Sequence, residues 1–245
     1  MEAQLQDDFQ SQYHGAPVVA QASAQERAAF ITKTYLHLLG AIVAFTFLEV
    51  LWFATPVAGL TIRFMTGGAL NMLIVLGAFI GVGFLANKWA MSAASLGKQY
   101  AGLGLFTVAE SLLFLPLIYM AWAAGAQGEP GLLSKAVMIT LTMFGSLTGI
   151  VFVTRKDFSF MRSVLIFAGF AAMGLVAASL IFGFSLGMVF SYAMIAFACG
   201  YILYDTSNVM LHYRTSQHVA AALALFASVM LLFWYVLRIL LSRRD

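Results

Sequence analysis

A single cysteine, Cys199, stands in 245 residues, and it lies inside an apolar run. One thiol excludes a disulfide framework within the chain, a zinc knuckle and a thiol redox pair. Charge is also scarce: Lys, Arg, Asp and Glu make up 9% of the chain, where a soluble globular protein carries about 25%. The net charge of +3 is dispersed between long apolar stretches, so no basic face for nucleic acid can form, and a nucleic-acid role is set aside. The histidines His14, His37, His212 and His218 show no metal-ligand spacing, which leaves zinc chemistry without support. What is abundant is hydrocarbon, since 62% of the residues are apolar. The chain belongs in a lipid bilayer.

A spanning helix takes about 20 mostly apolar residues. Seven runs meet that length, near Thr34 to Ala54, Leu70 to Lys88, Tyr100 to Ala123, Leu132 to Val153, Met161 to Phe182, Leu186 to Tyr204 and Val219 to Leu241. The expected fold is an all-α membrane protein, a seven-transmembrane-helix bundle over residues 34–245. Residues 1–33 are expected to form a mobile cytoplasmic tail, because Met1 to Gln25 is dominated by Gln, Ser, Ala and Asp without a periodic apolar stripe. A cleaved signal peptide is not expected, as no cationic start leads into an apolar core.

Basic residues orient the bundle, because positive loops stay on the cytoplasmic side. With the amino terminus inside, Arg27, Lys33, Lys88, Lys98, Arg155, Lys156, Arg162 and Arg214 fall in inner segments, and only Arg63 and Lys135 in outer loops. Seven crossings leave the carboxyl terminus on the far side, against the grain of Arg238, Arg243 and Arg244. The last run is nevertheless long enough to cross, with Trp234 and Tyr235 as interfacial anchors. Gly77 with Gly81 and Gly145 with Gly149 repeat the spacing that lets helices approach closely in lipid, so they are expected to pack the bundle. The absence of a long internal repeat argues against an inverted-repeat transporter.

Carboxylates at membrane depth cost roughly 2.5 to 3.5 kcal/mol on the insertion scale, so those that persist face a paired or wet interior. Glu110 lies mid-run with Thr107 and Ser111 beside it. It is either a protonated carboxyl bonded to a neighbouring helix or a cation or proton ligand lining a cavity. Glu49, near the outer end of the first run, is expected to snorkel to the headgroups. Asp205 closes the sixth run, and Tyr201 and Asn208 share its helical face. It is either a hydrated helix-terminus acid or a gate carboxylate whose protonation changes helix packing. The segment Gly183-Phe184-Ser185-Leu186-Gly187 matches the nucleophile-elbow pattern, but joins two membrane helices with no histidine on its side, and reads as a turn. The seventh run has no lysine for a retinal Schiff base.

Four strings in order carry a likeness: Thr34-Tyr35-Leu36, then Phe106-Thr107-Val108-Ala109-Glu110 followed by Pro116, then the inner-loop motif Thr154-Arg155-Lys156-Asp157-Phe158-Ser159-Phe160, and Asp205-Thr206-Ser207-Asn208. Together they resemble the Bax inhibitor-1 family, and within it the bacterial YccA type, from about Thr34 to the end. No one string is specific; their order and spacing are. The resemblance implies a last helix enclosed by the other six, and a calcium leak controlled by one aspartate on the sixth helix and one on the seventh. The first falls on Asp205, and the second on Ser228. A serine cannot share a proton as a carboxylate pair does, which leaves Asp205 to be held by the Ser228 hydroxyl or by Arg238. YccA-type members are associated with restraining the membrane-anchored ATP-dependent protease FtsH, and the same likeness suggests a bacterial inner membrane.

Two functions follow as expectations. One is a non-enzymatic cation leak for calcium as permeant ion, with Asp205 as the inner gate ligand, Glu110 as a mid-membrane ligand, and Thr107, Ser111 and Ser228 adding the oxygen donors that hard cations take. The other is a regulator docked on the protease through its helices or tail. An enzyme ranks third, and no cofactor is expected.

Overall fold

The computed structural model describes residues 16–92, 95–127 and 131–242. Eight α-helices lie within them: α1 Ala24–Phe53, α2 Pro56–Thr66, α3 Ala69–Ala90, α4 Leu96–Ala126, α5 Leu132–Thr154, α6 Arg162–Phe182, α7 Gly187–Leu211 and α8 His218–Ser242. All but α2 are long and apolar enough to cross a membrane. The short α2 was not foreseen; it starts with Pro56 in its first turn, where the missing N–H costs nothing.

The first helix begins ten residues before the apolar run does. Ser23 and Glu26 form a capping box: the Glu26 amide donates to Ser23 Oγ at 3.3 Å and the Ser23 amide donates to the Glu26 carboxylate at 3.0 Å. Ahead of it, Val18 bridges Arg214, the Val19 amide donates to the Tyr213 carbonyl at 2.9 Å, and the Thr215 amide donates to the Pro17 carbonyl at 3.0 Å. Arg27 ties this strap to α1 through the carbonyls of Val19 and Ala20. The expected mobile tail is therefore corrected over residues 16–33, which are helical or bound to the α7–α8 turn. A periodicity search misses them because their partners are backbone groups about 200 residues away. The remainder of that tail, with His14, lies outside the described residues, as do Arg243 and Arg244.

The last helix is the axis. In α8, 78% of the most apolar stretch is buried, against 6–50% in the other six spans. A helix apolar on every side belongs inside, and α1, α3, α4, α5 and α7 all pack on α8. Aromatic contacts fix the register: His37 meets His218 and Phe45 meets Phe226, while Phe106 meets Phe226 and Phe114 stacks on Phe233, so α1, α4 and α8 run in the same direction. We call the end where they start the first end.

The glycine expectation needs correction. A Cβ at Gly77, Gly81, Gly145 or Gly149 would meet nothing within 4 Å, so these faces are open rather than packed. The tight crossing is at Gly102, where a Cβ would stand 2.5 Å from the Ala86 carbonyl oxygen and 2.8 Å from the Ala90 nitrogen. Four-residue spacing identifies a helix face but not what lies against it.

Candidate functional site

Among the described residues three carboxyls are buried in the bundle, Glu49, Glu110 and Asp205, each 6% exposed. They lie on α1, α4 and α7, and each of these helices packs on α8.

Asp205 is not a hydrated helix-terminus acid. α7 continues to Leu211, and Asp205 turns inward with Thr206 and Ser207 while Tyr201 and Asn208 stay half-buried. Ser228 Oγ of α8 donates to Asp205 Oδ2 at 2.5 Å. Ser228 is ten residues into α8, about 15 Å along the axis. That is half the thickness of the hydrocarbon core, about 30 Å. Arg238 does not hold Asp205: it lies a further ten residues, about 15 Å, beyond Ser228 and outside side-chain reach. On the first-end side, burial first and the Asp205 charge second push the Tyr213 hydroxyl above its ordinary value. The strap binds the backbone of this same Tyr213.

Glu110 falls between Phe106 and Phe114 on α4, which face Phe226 and Phe233 on α8. It is thus level with Ser228 to within about a turn. Its expected helpers are otherwise engaged: Thr107 Oγ1 donates to the Leu103 carbonyl at 2.9 Å, and Ser111 Oγ donates to the Val108 carbonyl at 2.8 Å while accepting from Trp52 Nε1 at 2.9 Å. Nor does Glu110 join Asp205, because α4 and α7 make no contact and flank α8 separately. Asp205 and Glu110, expected as an inner gate ligand and a mid-membrane ligand of a leak, are thus two carboxyls on different sides of the axis. Among the described residues no three His, Cys, Asp or Glu side chains are grouped to hold a metal.

Glu49 was expected at the headgroups and is instead in the core. It completes the inward stripe Phe30, Thr34, Leu38, Ala41, Phe45 and Glu49, and both its oxygens are buried without a hydrogen-bond partner among the described residues. An unpartnered buried carboxyl is costly, which makes it the residue that sequence reasoning undervalued. Between the Glu110 and Glu49 turns sits an aromatic seal: Phe45 meets Phe114 edge-on with centroids 5.3 Å apart, and Phe114 also contacts Trp234 at 4.9 Å.

The inner-loop motif has a structural task. Arg155 takes a left-handed conformation with φ 50° to end α5, and Arg155 and Lys156 stay exposed. Asp157 Oδ1 accepts from the Ser159 amide at 2.8 Å, and its Oδ2 lies 3.0 Å from His212 Nε2. The Phe158 amide donates to Ser207 Oγ at 2.9 Å. The Ser159 amide, assisted by His212, holds the Asp157 carboxyl below its usual range. This clasp joins the α5–α6 loop to α7 at Ser207, two residues beyond Asp205, and to His212 just past the end of that helix. The nucleophile-like segment is a helix–helix turn, with left-handed Gly183 and Gly187 at φ 72° and 65°.

A family model described as "Inhibitor of apoptosis-promoting Bax1" matches residues 27–245. The chain belongs to the Bax inhibitor-1 family. Bax inhibitor 1 of Schizosaccharomyces pombe is 26% identical over 234 residues, covering 94% of this chain and 82% of that protein. Protein lifeguard 4 of Mus musculus is 28% identical over 244 residues, covering 96% and 92%. An uncharacterized protein of Pseudomonas aeruginosa is 29% identical over 170 residues, covering 69% and 73%. In this Bax inhibitor-1 family member, the enclosed last helix is α8.

Proposed function

We propose that the chain is a non-enzymatic cation leak, carrying calcium, seen with its gate closed. The observation that carries this reading is the belt of three buried carboxyls around the middle of α8, one of them bonded to α8 itself. Burying three acids serves stability poorly, since a well-packed apolar replacement does at least as well. Hard cations take carboxylate and hydroxyl oxygens, and Asp205 with Ser228 offers both from two helices. The Phe45–Phe114 seal closes the route as an apolar constriction does, by excluding water. Opening requires α8 to shift so that Asp205 leaves Ser228 and the aromatic contacts part. With one carboxylate where the family resemblance implies two, ion affinity is lower and selectivity weaker. The membrane is a bacterial inner membrane, with the first end cytoplasmic because its loops hold the basic residues, and the carboxyl terminus periplasmic. Reconstituted vesicles loaded with a calcium dye test the reading: Asp205→Asn and Glu110→Gln each slow calcium entry, and unchanged entry in both defeats it.

A second reading, a modulator bound to the membrane-anchored protease FtsH, draws on the amino-terminal strap, a bridge at Val18 followed by a 3-10 turn over Val19–Gln21, held at the first end by backbone bonds. Co-purification tests it. Removal of Met1 to Gln25 together with changes on the exposed helix faces weakens the complex, and an intact complex after both counts against it.

A further inference from the structure

A seam bounded by α1, α5 and α7 leads from the first end toward Asp205. All three helices pack on α8, but among the described residues the backbones of α1 and α5 do not meet, and α1 touches α7 only marginally. Tyr35 of α1 spans the gap. Its ring lies against Phe152 of α5 with centroids 6.0 Å apart, and its hydroxyl reaches Thr148, one turn before Phe152, and Thr206 of α7. Thr148 is six residues before the end of α5 and Thr206 five before the end of α7. The three hydroxyls therefore meet about 8–9 Å inside the bundle from its first end. Thr206 is the residue next to Asp205.

These hydroxyls do not serve their own helices. A threonine in a membrane helix readily donates to the carbonyl four residues back, as Thr107 and Thr154 do at 2.9 and 2.7 Å. Thr148 and Thr206 take no such bond, and with the Tyr35 hydroxyl they are buried without a hydrogen bond of good geometry among the described residues. Thr34 and Thr140 are left the same way. If the trio served packing alone, apolar side chains of the same shape would do as well. Hydroxyl oxygens from three separate helices are instead what a hard cation accepts in exchange for part of its water shell, and a set without charge holds it weakly enough to pass it on. Nearer the first end, Ser207 Oγ donates to Asp157 Oδ1 at 3.4 Å, which sets an exposed carboxylate by the mouth of the seam.

We infer that the α1–α5–α7 seam is the inner entrance of the ion path, with Thr148 and Thr206 as a hydroxyl station for a partly dehydrated calcium ion on its way to Asp205, and Tyr35 as the plug that swings aside to admit it. This rests on the leak reading and fixes which seam around α8 the ion enters. The Phe45–Phe114 seal lies further along, level with Phe233, so the path is closed on both sides of Asp205.

The test uses the full chain in lipid nanodiscs with Cys199→Ala, so that an introduced thiol is the only one. Thr206→Cys is treated with a membrane-impermeant cationic methanethiosulfonate, which modifies thiols in contact with water. It reacts, and adding Tyr35→Ala raises the rate about ten-fold, through loss of one aromatic pair. Tyr35→Phe keeps the ring and leaves the rate near that of the parent. Ala121→Cys, buried on α4 away from the seam, stays unreactive with or without Tyr35→Ala; reaction there marks a loosened bundle and overturns the role given to Tyr35. No reaction at Thr206→Cys, or a rate that Tyr35→Ala leaves unchanged, overturns the entrance. Calcium entry into vesicles keeps the two readings apart: Thr206→Val slows it and Tyr35→Ala speeds it. If Asp205→Asn slows entry while neither seam variant alters it, the leak stands and this entrance falls. If the thiol is reached past Tyr35 but Asp205→Asn leaves entry unchanged, the leak reading falls and the seam is a water crevice rather than an ion entrance.

Discussion

Replacing Ser228 by alanine removes one oxygen, and the structure fixes what that oxygen does. The hydroxyl is 4% exposed and donates to a carboxyl that is 6% exposed. Hydrogen bonds to charged groups contribute about 1.5–3 kcal/mol in general, whereas polar contacts between membrane helices average about 0.6 and reach about 1.7. The bond joins the axis to α7 in a dry setting where no water replaces the lost donor, so the upper membrane figure applies, about 1.5 kcal/mol. At about 2–4 °C per kcal/mol for a chain of this size, Ser228→Ala melts roughly 3–6 °C lower. Ser228→Thr keeps the donor and recovers most of the loss. A double-mutant cycle with Asp205→Ala separates the bond from packing: the coupling is about 1 kcal/mol or more, since neither single change leaves the pair intact. Melting of the four proteins in one detergent supplies the numbers. Additive losses, or an alanine variant as stable as the threonine one, would refute the claim that this bond fastens α7 to the axis.

Other expectations follow from the same coordinates. Phe114→Ala, at a side chain 1% exposed between Phe45, Phe233 and Trp234, costs about 3–5 kcal/mol and speeds calcium entry into vesicles by opening the seal. Gly102→Ala sets a Cβ 2.5 Å from a backbone oxygen, forcing α3 and α4 apart at a cost of about 1–3 kcal/mol, while Gly77→Ala, with open space around it, leaves the melting temperature unchanged. The Asp157 carboxyl is held below its usual range in the folded chain. Its contribution is therefore present above about pH 4, the unfolded value, and lost as pH falls through the folded one. The protection of residues 155–161 against hydrogen exchange, taken relative to the intrinsic exchange rate at each pH, should fall in acid for the parent and stay constant in Asp157→Asn; the energy is small because the side chain is exposed.

The architecture was legible because lipid admits only helices or closed barrels, and seven apolar runs of about 20 residues fit helices. Its beginning was not: Ser23 and Glu26 start α1 inside polar sequence, and the strap is held by Tyr213 and Thr215, far along the chain. Ser228 opposite Asp205 was legible only through the family resemblance, since nothing local to a serine in an apolar helix announces a carboxyl partner. Glu49 was readable in principle, for its spacing from Phe45, Ala41 and Leu38 continues the inward face. Counting distance from the end of the run concealed that. The partnership of Asp157 with His212 depends on loop closure across 55 residues, which no spacing encodes.

The central claim is that ions cross beside α8 past Asp205. Calcium entry into vesicles holding the purified chain, compared with protein-free vesicles and with Asp205→Asn, tests it most directly. The account predicts entry above the protein-free rate that is slowed in the asparagine variant. Entry indistinguishable among all three would contradict it.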